Sequence, residues 1–90
     1  MTTNLLSLPS GVLRVNASVH GDLRVEILGA DGRPLSGYAA ADCVPLKSDG
    51  LSQLVHWRKH PTLSALKGET VRLRFIARQT ELFAFWFAAR

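Results

Sequence analysis

The chain has 90 residues, 47% hydrophobic and 20% charged, with a formal net charge of +4. That length holds one domain, 1–90, with one small core, and the composition excludes a disordered chain. The single cysteine, Cys43, excludes an internal disulfide, and no apolar run approaches the roughly 20 residues of a membrane-spanning helix. The basic balance permits an acidic partner. However, Arg14, Arg24, Arg72, Arg74 and Arg78 are spread along alternating segments, with no basic run and no ribonucleoprotein signature. They read as solvated strand faces, and neither nucleic acid nor membrane is expected as a partner. Met1-Thr2-Thr3-Asn4 has no basic n-region, and Leu5-Leu6-Ser7-Leu8 is too short for a signal-peptide core. A complete chain would be cytoplasmic. A piece excised from a larger protein would leave localisation open.

In chain order, Val12 to Val19 alternates Leu13, Val15, Ala17 and Val19 with Arg14, Asn16 and Ser18, which predicts a strand with one inward face. Asp22 to Leu28 repeats the pattern with Leu23, Val25 and Ile27 inward. His20-Gly21 between them predicts a tight turn, and the two strands a hairpin. Gly29-Ala30-Asp31-Gly32-Arg33-Pro34 is turn chemistry, and Leu35 to Tyr38 a short edge strand. Ala39 to Cys43 predicts at most one helical turn before Pro45, and Ser48-Asp49-Gly50 another turn. Leu51 to Arg58 predicts a strand whose inward face periodicity alone leaves open. Leu63 and Leu66, with Gly68 after them, predict one helical turn. Val71, Leu73, Phe75 and Ala77 alternate with Arg72, Arg74 and Arg78, a half-buried strand. After Gln79-Thr80-Glu81 the run Leu82-Phe83-Ala84-Phe85-Trp86-Phe87-Ala88 is apolar on both faces. A three-residue loop at Gln79–Glu81 makes this pair a hairpin, with Arg74 opposite Trp86, Arg78 opposite Leu82 and Phe75 opposite Phe85. About seven short strands, with turn signals every 8–12 residues or so, predict an all-β, antiparallel two-layer sandwich of jelly-roll or immunoglobulin-like shape.

Several segments in this order resemble a known family. They are Leu23 to Tyr38, Asp42-Cys43, Val55-His56-Trp57-Arg58, Leu63 to Gly68 and Val71 to Phe75. Together they are similar to the small C-terminal β-sandwich domain of bacterial glycoside hydrolase family 32 type proteins, over about Leu13 to Phe87. The resemblance implies a non-catalytic accessory domain, since that family's catalytic carboxylates belong to a β-propeller. It implies a propeller, or another copy, as partner. The chain departs from the family pattern at Ser48-Asp49, at Thr62 and most of all in the last apolar run. There Gln79, Phe83, Ala84 and Trp86 replace more polar or charged residues, which gives a greasier surface.

No active-site constellation stands out, and no cofactor or metal is expected. His20, His56 and His60 join no cysteine or carboxylate at ligand spacing and read as solvated turn or edge residues. Cys43 reads as a small buried hydrophobe and Asp42 as a turn cap. Tyr38 reads as placing its hydroxyl in water, and Trp57 as core beside Val55. The candidate contact residues are Trp86, Arg74, Leu82 and Ala84. With Phe83, Phe85 and Phe87 inward, Leu82, Ala84 and Trp86 face out, and the Arg74 guanidinium lies near the indole. Three readings of Trp86 follow: cover by Leu5 to Leu8 of the same chain, a protein interface or homo-oligomer, or stacking on a carbohydrate.

Overall fold

The structure, a computed structural model, describes residues 1–89. The alternating segments form strands, as their period of two requires. These are β1 (Leu6–Ser7), β2 (Val12–Gly29), β3 (Gly50–Val55) and β4 (Thr70–Ala88). Single 3-10 turns lie at Ala40–Asp42 and Ser64–Leu66. The four strands make one antiparallel sheet in the order β1-β4-β2-β3. The chain is therefore all-β. The expected seven short strands in two layers are not what is seen.

The discrepancy has one cause. Both predicted hairpins are single continuous strands, because β2 and β4 pair with each other along their whole length, from Val12 opposite Ala88 to Gly29 opposite Val71. His20-Gly21 and Gln79 do not reverse the chain. They face each other. Val19 pairs with Thr80 and Asp22 with Arg78, so two residues of β2 stand against one of β4. That is a β-bulge, which bends and twists a ribbon without ending it. Glycine serves there for close approach: a Cβ on Gly21 would collide with the Arg78 carbonyl. Gln79 takes a positive φ of 48°. The hydroxyl of Thr80 donates to the Asp22 carbonyl across the bend, at 3.1 Å. The predicted pairings of Arg74 with Trp86, Arg78 with Leu82 and Phe75 with Phe85 are replaced by Arg74 with Glu26, Arg78 with Asp22 and Phe75 with Val25. Trp86 pairs with Arg14, Leu82 with Ala17 and Phe85 with Val15.

The bend is large. A straight 19-residue strand would span about 63 Å, yet the molecule's longest dimension is 32 Å. Phe75 and Phe85 lie on the same strand and would be about 33 Å apart if it were straight. Their ring centroids are 5.1 Å apart. The ribbon thus folds back, and its concave side is the core. Leu13, Val15, Ala17, Val19, Leu23, Val25 and Ile27 of β2 meet Val71, Leu73 and Phe75 of β4 there, with Leu8, Val55, Trp57 and Leu63 filling in.

Candidate functional site

The half of the ribbon nearest Gly29 and Val71 is closed on both edges. On the β2 edge, Leu23 exchanges backbone bonds with Leu46, and Ile27 donates to Tyr38 and accepts from Leu35. Between them Val25 has no strand beside it. Its N–H donates to Cys43 Sγ at 3.4 Å, and its carbonyl accepts from Trp57 Nε1 at 2.9 Å. Two side chains thus stand in for a neighbouring strand. This assigns Cys43 and Trp57 the structural roles expected of them, both being buried. Burial pushes the Cys43 thiol above its ordinary value, against the pull of the Val25 N–H and of Arg24 and Arg58. On the β4 edge, the segment from Met1 to Ser7 bonds to Thr70–Val71, Leu73 and Phe75, so pairing there ends at Phe75. Leu6 therefore lies opposite Val71 and Leu8 bonds to Glu69, at the closed end of the ribbon, and neither pairs with the strand edge at Trp86.

Charged residues on the closed half are tied down. Glu26, buried, accepts from the Ala40 N–H at 3.2 Å and pairs with Arg74 at 3.4 Å. Arg74 is therefore committed to Glu26 and has no place beside Trp86. Asp22 meets Arg78 at 3.4 Å and Arg24 at 3.9 Å. The Asp42 carboxylate accepts from the Ala39 N–H at 3.3 Å, the expected turn-capping role. Tyr38 differs from expectation. It is buried, stacked on His60 with ring centroids 4.3 Å apart and edge-on to Trp57, and its hydroxyl is among the buried polar atoms without a partner. His20 is exposed, while His56 and His60 are half-buried. Among the described residues no group of three metal-ligating side chains forms, and no helix is long and apolar enough to cross a membrane.

The other half of the ribbon is different. β3 covers its β2 edge from Leu13 to Ala17. Along β4 from Ile76 to Ala88, no strand among the described residues pairs with the outer edge. A second bulge lies in this stretch: Asn16 pairs with Ala84 and Ala17 with Leu82, which leaves Phe83 unopposed. That extra residue shifts the facing of everything around it. Phe85 and Phe87 still turn inward and Ala84 and Trp86 outward, as expected. Leu82 turns inward onto the core instead of outward, and Phe83 is thrown out, 61% exposed. Trp86 is 36% exposed. Phe83 separates two shallow grooves. One, of about 330 Å³, is lined by Met1, Leu82, Phe83, Ala84 and Phe85. The other, of about 270 Å³, has Asn16, Ser18 and Asp49 beside Leu51 and Phe83. Of the four sequence-derived contact residues, Trp86 and Ala84 lie on this surface, Leu82 lines it from below and Arg74 lies away from it. Phe83 was missed. The run is apolar at every position, so the sequence carries no phase break that marks the bulge.

No protein-family model matches the chain, and neither curated proteins nor solved structures give a match. The glycoside hydrolase family 32 likeness therefore rests on the sequence segments alone.

Proposed function

We propose that this chain is a non-catalytic interaction domain whose contact surface is the open half of β4, centred on Phe83, Ala84 and Trp86. One observation carries the reading: an aromatic stretch without charge lies on an uncovered strand edge, with Phe83 standing clear of the surface. Native sheets usually blunt such edges with charge, proline or a covering segment. The chain covers both edges of its closed half in this way. Cys43 is bonded to Val25, Asp42 caps its turn and Glu26 is held by Arg74 and Ala40. The sandwich-like accessory domain implied by the family 32 resemblance enters this proposal through the folded-back ribbon, whose two halves face each other across the core. A propeller, another domain or a second copy would then be the surface it packs against.

Sedimentation velocity tests the reading. The chain is expected to run as a dimer or larger species, and as a monomer after Trp86→Arg or Phe83→Lys. Both side chains point away from the core, so the variants should keep the wild-type unfolding midpoint. A wild-type monomer that neither change affects would sink the proposal. Carbohydrate binding is the second reading, favoured by the groove where Phe83 stands beside Asn16, Ser18 and Asp49 and by the outward indole of Trp86. Trp57 is buried, so a fluorescence response to fructans or other glycans would report Trp86. A flat titration across a glycan panel removes that reading.

A further inference from the structure

The direction of the backbone groups on the open edge says what fits it. In an antiparallel ladder the N–H and C=O of one residue point to the same side, and sides alternate along the strand. Val19 donates to Asp49 Oδ1, on the β3 side of β2. With that phase, the odd residues of β2 point their backbone groups toward β3, and Leu13 and Val15 do so opposite Phe87 and Phe85. Phe85 and Phe87 therefore point their own N–H and C=O away from β2, at the open edge. Ala84, Trp86 and Ala88 point theirs at β2. The same rule holds in the closed half, where the outward-pointing residues are Val71, Leu73 and Phe75, and there the N-terminal segment bonds to them.

An edge of this kind is filled by a strand. Resting on the interaction reading above, we propose that the strand is β4 of a second copy. Two β4 edges would pair antiparallel over Ala84–Ala88 about a two-fold axis at Trp86, merging the two four-stranded sheets into one. Three features select this arrangement. The Phe83 bulge ends regular pairing, so the regular stretch runs from Ala84 to Ala88 and its midpoint is Trp86. Centring the axis there sets Phe85 of each copy opposite Phe87 of the other. Both have outward-pointing backbone groups, so about four hydrogen bonds form. Trp86 then faces its symmetry mate as a close, non-hydrogen-bonded pair, the geometry in which aromatic cross-strand contacts are strongest. The facing residues also match in size: Ala84 with Ala88, Phe85 with Phe87, Trp86 with itself. The stretch carries no charge, so two copies of a chain of net charge +4 meet at an uncharged seam. The groove beside Phe85, walled by Met1, is where the facing Phe87 would enter. A two-fold contact of this type is isologous and closes at the dimer.

The seam is short, so the contact belongs to the small, transient class of interfaces. Hydrogen exchange across a dilution series, from about 1 mM to about 5 μM, reads it directly. The Phe85 and Phe87 amides should slow at least tenfold at the high end, while those of Ala84 and Trp86, bonded to β2, stay protected throughout. Trp86→Cys should form a disulfide-linked dimer under mild oxidation, because facing residues in such a pair have the Cα separation a disulfide needs. Ala84→Cys should not, its symmetry mate lying about four residue rises away. Cys43 is buried and does not compete. A dimer lost on Phe83→Lys whose Phe85 and Phe87 amides exchange at the monomer rate would overturn edge pairing and leave the interaction reading standing. Equal crosslinking at both cysteine positions would also overturn it. A wild-type chain that is monomeric at the highest concentration, with both amides fast, would overturn the second copy as occupant and the interaction reading on which it rests.

Discussion

The two halves of the β2–β4 ribbon are built from the same alternation, and one is finished while the other is not. Around Val25 and Phe75, each edge residue finds a partner: backbone from Leu46, Tyr38 and Leu35, side chains from Cys43 and Trp57, and the N-terminal segment on the far side. Around Val15 and Phe85, β3 covers one edge and the other is bare. Buried N–H and C=O groups must be satisfied, so the closed half can sit deep in the molecule. The open half keeps its unpaired edge only because water reaches it. The difference teaches that apolar alternation fixes which face is inward, while loops and termini decide which edges are finished.

The closed half breaks most readily at Trp57. Its ring is buried among core residues and its N–H closes the gap at Val25. Trp57→Ala removes a large buried aromatic and leaves the Val25 carbonyl unpaired, at a cost of about 3–5 kcal/mol. Domains of this size have roughly 5–15 kcal/mol in total. Urea unfolding should place the variant at or near the unfolded state under conditions where the parent is folded. Trp57→Phe keeps most of the packing and should lose much less. A loss under 1 kcal/mol or so for Trp57→Ala would mean that the closed half does not hold the fold.

How far the sequence carried can be judged on the same two halves. Strand phase in β2 was readable throughout, because Leu13 to Ile27 keep their odd-numbered inward positions across the His20-Gly21 bulge. The Asp31-Gly32 turn was readable as well: Gly32 has a φ of 85°, and the Arg33 N–H donates to Asp31 Oδ1 at 3.0 Å. What failed was connectivity. A polar or glycine break inside an alternating run is the same signal for a turn and for a bulge. Which one forms depends on whether a long partner strand is available far away in sequence, and local pattern does not contain that. The Phe83 bulge failed for a related reason, since a run apolar on both faces has no phase to break. The roles of Cys43 and Tyr38 needed the fold, because a residue that fills a gap in an edge, or stacks on His60, leaves no periodic trace.

A smaller, pH-dependent effect sharpens the role of Cys43. Burial raises its thiol above the ordinary value of 9.0 in the folded chain. Below that value the thiol is protonated in both states and its contribution is complete. Above it the unfolded chain releases the proton first, so stability falls as pH rises toward the folded-state value. Unfolding midpoints should drop as pH rises past 9.0, and Cys43→Ala should flatten that slope while lowering stability at neutral pH. An unchanged slope in Cys43→Ala would show that the thiol at the Val25 gap titrates as it would in water. The open half has no buried thiol, and Phe83→Lys should leave the same slope untouched.

The smallest expected effect lies at the joint between the halves. Gln79 sits at a φ of 48°, in the left-handed region, opposite His20-Gly21. A side chain there costs about 1–2 kcal/mol of steric strain. Glycine removes that strain but gives the unfolded chain more freedom, which takes back roughly 0.5–1 kcal/mol. Gln79→Gly should therefore stabilise the domain slightly, by about 0.5 kcal/mol, with the bend unchanged. Its sign is the informative part. If Gln79 takes the left-handed conformation because the ribbon requires a bend there, relief of strain shows as a higher unfolding midpoint. If the midpoint falls, the Gln79 side chain itself holds the two halves at their angle. The Phe75–Phe85 contact, which depends on that angle, should then loosen in the same variant.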